Sequence, residues 1–248
     1  MKDLLINTWY VAAPASEIDA DRPRRVRMLG LDFVLFRDAD GALHCLSDVC
    51  CHRGGSLAER DLTDGCVQCA YHGWTFDGAG RCTGIPSMGE GARVPKRARV
   101  DSYPAQEKYG LAWVFLGDLP ESERPMLPGW LDAFEGQPDK HWFMQYEKHQ
   151  PGINWMRMME NSMDNSHLSF VHPMFGGRID PRVSSMEITD THWGAHTGLL
   201  MPTTDDSAKP EYMQEVLDKD REPLGVQLEF SIAGMCVVIR QNLAPGVS

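Results

Sequence analysis

Hydrophobic and polar residues alternate along residues 26–46, on either side of the polar tetrapeptide Asp38-Ala39-Asp40-Gly41. This period of two predicts a pair of strands joined by a tight turn. Shorter apolar runs follow at residues 66–76 and 111–116, and glycine and proline separate them, which favours further strands with loops between them. The first 118 residues are therefore predicted to form a small, mostly β domain.

The pattern changes after residue 118. Residues 119–145 hold four prolines and several acidic side chains, and predict a connecting segment. Residues 154–170 lack proline and glycine, are rich in Met and Leu, and follow Pro151-Gly152, which favours a helix. Strand patterns return from residue 197, most clearly at 226–238. The second part, residues 146–248, is predicted to combine helix and sheet, so the chain belongs to the α+β class.

Composition excludes several classes of protein. With 248 residues and 42% hydrophobic residues, the chain can bury a core as one large or two ordinary domains. It has no apolar run long enough for a membrane span, and Asp3 interrupts the segment where a signal peptide would be apolar. We therefore expect a cytoplasmic protein without membrane contact. The net charge of -11 argues against a nucleic-acid partner.

Two short segments each combine cysteine, histidine and glycine: Cys50-Cys51-His52-Arg53-Gly54-Gly55 and Cys69-Ala70-Tyr71-His72-Gly73-Trp74. Two thiolates on one iron and two imidazoles on the other form a Rieske-type 2Fe-2S cluster, and glycines suit loops that bend around it. A structural zinc ion takes the same ligand set. Zinc loops usually place roughly two to four residues between paired ligands. A single residue separates Cys50 from His52, which favours two metals.

The other cysteines are interpreted differently. Seven cysteines, an odd number in a chain without an export signal, do not indicate a disulfide framework. We predict that five of them are small apolar fillers rather than ligands. These are Cys45, Cys51, Cys66, Cys82 and Cys236.

A second group of ligand types lies in the predicted helix. At helical spacing Glu160, Asp164 and His167 share one face. Pro173 disfavours helical geometry at His172, so the chain can unwind there and bring both imidazoles to one ion. Two imidazoles and a carboxylate with open positions form the facial triad of Fe(II) oxygenases. Surface or capping roles are the alternative for these side chains, and for Glu160 a solvated or capping acid stays open.

These patterns resemble a known family. C-x-H-R-G and C-x-Y-H-G-W are similar to the Rieske domain of ring-hydroxylating and demethylating oxygenases, whose large (alpha) subunits also carry N-x-x-D-x-x-H-x-x-x-x-H, matched here from Asn161 to His172. Respiratory Rieske proteins are less similar, because Gly55 and Tyr71 stand where they have cysteines. Cys51 departs from the proline common in the family. The run from Asn7 to Ala13 resembles the vanillate demethylase and phthalate oxygenase branch.

The resemblance implies a fold and a set of cofactors. An N-terminal all-β Rieske domain (1–118) and a connecting segment (119–145) would precede an α+β catalytic domain with a helix-grip-like antiparallel sheet (146–248). A 2Fe-2S cluster would be held by Cys50, His52, Cys69 and His72, and a mononuclear Fe(II) by His167 and His172. Asp164 would join His167 to the cluster ligand His72 of a neighbouring subunit, the carboxylate partner that a metal-bound imidazole usually has.

It also implies a reaction and partners. A homotrimeric terminal oxygenase would take electrons from a ferredoxin or a flavin/iron-sulfur reductase and use O2 to hydroxylate or O-demethylate an aromatic or related organic substrate. The third iron ligand, an aspartate in the family, is expected beyond residue 248, so the chain is expected to be incomplete at its C-terminus. The later aspartates are read as solvated, namely Asp205, Asp206, Asp218 and Asp220. His192 and His196 are predicted to be structural.

Two other functions are kept as alternatives. The first is an electron carrier similar to a Rieske ferredoxin, without oxygenase activity, and the second is a zinc-stapled binding module. The first domain also contains two basic clusters. They are either ordinary solvated charge or docking sites for an acidic electron donor. They are Arg22/Arg24/Arg25/Arg27 and Arg93/Lys96/Arg97/Arg99.

Overall fold

The structure, a computed structural model, describes residues 6–89, 91–130, 132, 152, 157, 160–161, 164–171, 187–192, 194–201, 224–231 and 234–240. The chain divides into two units, Met1–Pro125 and Met126–Ser248. Strands predominate among the described residues of both units, and the predicted α+β class with an all-β first domain is confirmed. Among the described residues no helix is long and apolar enough to cross a membrane.

The first unit contains three antiparallel sheets, ordered β1-β10-β9, β2-β3-β4-β8 and β5-β6-β7. Their strands are β1 (Thr8–Pro14), β2 (Arg24–Met28), β3 (Leu31–Arg37), β4 (Leu43–Ser47), β5 (Val67–Gln68), β6 (Thr75–Phe76), β7 (Cys82–Gly84), β8 (Ser102–Tyr103), β9 (Ala105–Lys108) and β10 (Leu111–Leu116). The prediction of a strand at 111–116 is confirmed, and all six of its residues are buried. The run at 66–76 forms two short strands, β5 and β6, with a loop between them.

Strand β3 lies between two hydrophobic clusters of the first unit. Its side chains alternate between two hydrophobic clusters. Phe33 and Leu35 pack with residues of β2 and β10 in the first cluster. Val34 and Phe36 pack with Leu46, Leu57 and the loops that carry Cys50 and Cys69 in the second. The strand is therefore buried on both faces. The second cluster is the one that contains the predicted ligands Cys50 and Cys69.

The prediction of two strands across residues 26–46 was incomplete. The segment contains three strands, because Leu29 and Gly30 form a two-residue turn between β2 and β3. Both residues have positive φ, 50° and 79°, as a type I′ hairpin turn demands. Gly30 takes this conformation freely, but Leu29 does not, and a leucine gives no turn signal in the sequence.

The described residues of the second unit include one antiparallel sheet in sequential order, β11 (Glu187–Thr191), β12 (Gly194–Met201), β13 (Leu224–Ser231) and β14 (Gly234–Arg240). The strands predicted after residue 197 are confirmed. His192 lies in the turn between β11 and β12, and His196 pairs with Thr189 across those strands. Both histidines therefore belong to a hairpin, and their structural role stays a prediction.

The helix predicted over 154–170 is interrupted where it is described. A 3-10 helix, Asn165–His167, precedes α1 (Leu168–Val171). The Asp164 N–H still donates to the Glu160 carbonyl, at 3.1 Å, but the Asp164 carboxylate accepts from the Ser166 N–H, at 3.0 Å. Aspartate favours this capping geometry over the middle of a helix. Asp164 therefore ends one helical turn and begins the next.

Candidate metal centre

The two predicted ligand loops repeat one backbone arrangement. In the first loop the Cys50 N–H donates to Gly55 O at 2.9 Å, and the Gly54 N–H donates to Cys50 O at 2.8 Å. In the second, the Cys69 N–H donates to Trp74 O at 2.8 Å and the Gly73 N–H to Cys69 O at 3.0 Å. Each cysteine thus stands at the start of a closed turn, and the two turns project from the same core.

Glycine is required at two points of these loops. Gly54 and Gly73 both have φ of +72°, a conformation that residues with a Cβ rarely adopt. Gly55 is needed for space, because a Cβ there would lie 2.9 Å from Cys69 Sγ and 3.1 Å from Tyr71 Cβ. The first loop therefore approaches the second closely enough that only a hydrogen fits between them.

The two thiols lie together in the core. Cys50 and Cys69 are 3% and 2% exposed, and their side chains are close enough to hydrogen-bond. Burial is the main reason that the pKa of Cys50 rises to about 12, and Cys69 raises it further, although the His52 backbone N–H acts in the opposite direction. A metal must displace the proton from such a thiol, so thiolate formation is coupled to metal binding.

The two imidazoles lie at the surface instead. The ring centroids of His52 and His72 are 4.6 Å apart, and both side chains are exposed. His52 stacks on Trp74 with centroids 4.5 Å apart and an interplanar angle of 4°. Desolvation, followed by the nearby charges of His72 and Arg53, lowers the pKa of His52, which favours the neutral imidazole that a metal needs.

This arrangement fits two metals better than one. A tetrahedral zinc site places four equivalent ligands around one centre. Two buried sulfurs and two surface nitrogens, held on facing loops, instead match a cluster with one sulfur-bound and one nitrogen-bound iron.

The prediction for the remaining cysteines is only partly correct. Cys45 and Cys82 are buried and Cys66 is partly buried, as expected of apolar fillers. Cys51 was predicted to be a filler too, but it is exposed. The turn of the first loop explains the difference, because Cys50 enters the core and the next side chain consequently points outward. The side chain of Cys236 lies outside the described residues.

The second predicted site is described only around Asp164 and His167. The expected bond joins His167 to the Asp164 carboxylate. In the structure, His167 Nδ1 instead contacts the backbone carbonyl of Asp164. A carbonyl only accepts, so the proton of this contact lies on Nδ1. His172 and the later aspartates lie outside the described residues.

The basic clusters differ in a way that their sequences do not reveal. Three arginines of the first cluster have acidic partners: Arg24 with Glu17, Arg25 with Asp48 and Glu59, and Arg27 with Asp32. These ion pairs favour a structural role for most of that cluster, and docking there stays a prediction. The four residues of the second cluster are all exposed, and among the described residues none of them forms an ion pair. These are Arg93, Lys96, Arg97 and Arg99.

Two residues that matter to the loops were missed by the sequence analysis. Trp74 was noticed only as part of a motif, and its stacking on His52 could not be predicted from spacing. Asp48 looked like an ordinary polar residue, yet it is 5% exposed and accepts hydrogen bonds from the segment that follows the first loop. An acid shortly before a ligand motif is the one signal that could have drawn attention to it.

Comparison with known proteins agrees with this geometry. Residues 8–104 match the family model of the Rieske [2Fe-2S] domain. The chain is 32% identical over 164 residues to Protein TIC 55, chloroplastic, of Arabidopsis thaliana, covering 66% of this chain and 30% of that protein. It is 34% identical over 180 residues to phenoxybenzoate dioxygenase subunit alpha of Ectopseudomonas oleovorans, covering 68% and 43%.

A solved structure extends the similarity to the second unit. Dicamba monooxygenase bound to dicamba aligns with a TM-score of 0.68 and 24% identity, over 98% of this chain and 68% of that one. The first unit is thus built on a Rieske [2Fe-2S] domain. Beyond that domain, the chain is similar in sequence to the alpha subunit of a dioxygenase and similar in fold to a monooxygenase of solved structure. It spans less than half the length of the two curated relatives above.

Proposed function

We propose that this chain is the terminal component of an oxygenase system, acting on an aromatic or related organic substrate by hydroxylation or O-demethylation. The observation that carries the proposal is the pair of matched loops, Cys50 to Gly55 and Cys69 to Trp74, with a second histidine site in the same chain. A pure electron carrier needs only the loops. The predicted second site, where the Asp164 carboxylate caps the turn that carries His167, favours the oxygenase.

In this proposal the ligands divide between the two centres. Cys50 and Cys69 hold one iron of the 2Fe-2S cluster, and His52 and His72 hold the other. His167 and His172 hold the mononuclear Fe(II). When bound, the cluster supplies single electrons and the Fe(II) site supplies oxygen chemistry. The protein keeps the sulfur side of the cluster dry and presents its imidazole side at the surface.

We further propose that the surface around the imidazoles meets another copy of the chain in a homotrimer. Two large apolar side chains beside the ligands are exposed, Val49 by 53% and Tyr71 by 65%. Their burial would contribute about 25 cal/mol per Å² of apolar area. Asp164 is also exposed, so it is accessible to His72 of a neighbouring subunit. The carboxylate would accept the N–H of that imidazole and connect the two metal sites.

The donor, a ferredoxin or a flavin/iron-sulfur reductase, would dock at the second basic cluster. Because these four cations have no acidic partner among the described residues, their field is not cancelled locally. A groove of about 420 Å³ runs between Gly73, next to His72, and Val94, next to Arg93. The groove therefore connects the segment that carries Arg93 with the loop that carries His72. A cytoplasmic location is part of the same proposal.

The test of the oxygenase function is Asp164→Asn in the full chain. We expect both metals to be retained and substrate oxidation to fall by at least about 100-fold, because the link between the sites is lost. Asp190→Asn, which changes another exposed carboxylate of the same unit, is the matched control. Normal turnover by the Asp164 variant would contradict the bridging role. A cluster signal without any oxygen-dependent product in the wild type would support the electron carrier instead.

Docking is tested separately. Changing Arg93, Lys96, Arg97 and Arg99 to glutamine should slow cluster reduction by an acidic 2Fe-2S ferredoxin and flatten the dependence of that rate on salt. Arg22→Gln/Arg24→Gln removes cations from the other cluster and should leave the rate within a factor of about two. An unchanged salt dependence in the fourfold variant would contradict the docking site.

A further inference from the structure

Asp48 is a charged residue inside the core that supports the first ligand loop. Its side chain is 2% exposed, and within the described residues it is the charged side chain that is buried. Burial of a carboxylate is costly unless hydrogen bonds and an opposite charge compensate it. Asp48 has both, since Arg25 Nε donates to it at 2.7 Å and Ser56 Oγ at 2.9 Å.

The bonds of Asp48 close the first loop from both sides. Asp48 precedes Cys50 by two residues, and its Oδ1 accepts the N–H groups of Leu57, at 2.6 Å, and Ala58, at 3.0 Å, just beyond Gly55. The Ser56 carbonyl in turn accepts the Ala70 N–H of the second loop, at 3.2 Å. One carboxylate therefore fixes the start and end of the first loop, and through Ser56 it is connected to the second.

The guanidinium of Arg25 completes the arrangement from the surface. Its side chain is 46% exposed, and it donates to Ser56 Oγ and to Glu59 Oε1, each at 2.7 Å, besides Asp48. The buried charge therefore lies on the loop that carries Cys50, and its counter-charge lies on β2, 23 residues earlier in the chain. Two residues of backbone span at most roughly 7 Å, so Asp48 is close to any metal that Cys50 binds.

We propose that Asp48 and Arg25 form a charge pair that positions the first ligand loop and sets the reduction potential of the cluster. The inference rests on the proposed cluster at Cys50, His52, Cys69 and His72. One-electron reduction adds a negative charge to the cluster. The Asp48 carboxylate opposes that charge and lowers the potential, whereas Arg25 offsets the carboxylate and raises it. Asp48 is a positioning residue and is not a ligand.

The pair predicts shifts of opposite sign, which distinguish it from a merely structural role. In the full chain with its cluster, Asp48→Asn should raise the midpoint potential and Arg25→Gln should lower it. At a fixed solution potential we expect each variant to change the ratio of reduced to oxidised cluster by about tenfold, which corresponds to about 59 mV for one electron. The double variant should return close to the wild-type value.

The measurement is a mediated redox titration followed by electron paramagnetic resonance, with iron and acid-labile sulfide assayed in every sample. Asp32→Asn is the matched control, because it removes the same charge from a side chain that is 42% exposed and pairs with Arg27. Arg25 contacts the buried Asp48 carboxylate directly, whereas the Asp32 carboxylate pairs with the exposed Arg27, so the potential of Asp32→Asn should stay close to the wild-type value. Arg25→Lys keeps the positive charge without the Nε–H bond and should remain closer to the wild type than Arg25→Gln.

The possible outcomes are distinct. If Asp48→Asn and Arg25→Gln retain the cluster but shift its potential in the same direction, or not at all, the charge pair is wrong. If Asp48→Asn fails to assemble a cluster, the two arginine variants decide the question. Equal potentials for Arg25→Gln and Arg25→Lys would overturn the proposal. A lower potential for Arg25→Gln alone would support it. Wild-type protein without acid-labile sulfide would refute the proposed cluster itself.

Discussion

The two ligand loops have the same backbone but different supports. Each carries a glycine with φ of +72° and closes through the same pair of hydrogen bonds around its cysteine. The first loop is held by ionic and hydrogen bonds through Asp48. The second is held by packing, with Trp74 stacked on His52 and Pro86 Cγ only 3.1 Å from where a Cβ on Gly73 would lie.

This difference separates the features of the loops that a bound cluster would require from the features that it would not. A cluster bound through two sulfurs and two nitrogens requires two equivalent turns, so the turns agree. It does not dictate how each turn is anchored, and the two anchors draw on different physical forces. Changes to the shared features should therefore affect both loops alike, whereas changes to the anchors should affect them differently.

The largest effect is expected from the cysteines that both loops share. Cys50→Ser and Cys69→Ser should each abolish the cluster, because either change removes one of the two sulfur ligands of the same iron. Iron and sulfide analysis with visible absorption is the measurement. Cys51→Ser is the control, and it should keep the full cluster because the Cys51 side chain is exposed. A cluster retained in one cysteine variant but lost in the other would break the equivalence.

Adjacent glycines of the first loop should then respond unequally. Gly55→Ala should remove most of the cluster, because its Cβ would lie 2.9 Å from Cys69 Sγ. Gly54→Ala meets nothing closer than Val49 Cγ1 at 4.0 Å, and its cost is the left-handed backbone, about 1 kcal/mol. Cluster content and thermal unfolding measure the two effects. Equal loss of cluster in both variants would show that space between the loops is not the constraint.

The aromatic anchor of the second loop should have a moderate effect. Trp74 packs against the core and stacks on His52, so Trp74→Leu should lower the free energy of unfolding by roughly 1 to 2 kcal/mol, and Trp74→Phe by less. Tyr71→Leu serves as the comparison, because Tyr71 contacts His72 but is 65% exposed, and its loss should cost less. Denaturant titration would contradict the account if Tyr71→Leu were the more damaging change.

The smallest effect lies outside both loops, at the turn between β3 and β4. His44 Nε2 lies 2.7 Å from Asp38 Oδ2, and this bond lowers the pKa of Asp38 below its ordinary 3.8. The unfolded chain then binds the proton more readily, so the stabilisation is present above the ordinary pKa and is lost as pH falls through the lowered one.

Asp38→Asn tests this titration. The difference in unfolding free energy between wild type and Asp38→Asn should be constant near neutral pH and shrink below about pH 4. Asp40→Asn, on the same turn but exposed, is the matched control. A difference that grows on acidification would mean that the sign of the shift is wrong.

Sequence reasoning succeeded where a pattern had a unique physical meaning. The apolar run of β10 predicted a buried strand, and the structure has one. A cysteine and a histidine within each of two glycine turns predicted a metal site, and the residue types indicated candidate ligands, but not where each side chain points. Cys51 was misplaced for that reason, because burial of Cys50 fixes the direction of its neighbour and one sequence cannot show it.

Other features depend on contacts between distant parts of the chain. Leu29 adopts a turn conformation that its residue type disfavours, and the strands on either side enforce it. Arg25 and Asp48 are 23 residues apart, so no local pattern links them. Their ion pair gives Arg25 a structural role that the second basic cluster does not share. Asp164 shows the reverse case, since its capping role is local and a known preference of aspartate, yet helical spacing outweighed it in the prediction.

The most direct test of the account is metal and sulfide analysis of wild-type protein purified without oxygen. Because the paired loops are proposed to hold a 2Fe-2S cluster, we predict two acid-labile sulfides per chain, with iron at least equal to sulfide and no zinc. Zinc at one ion per chain, with no sulfide, would contradict the central claim.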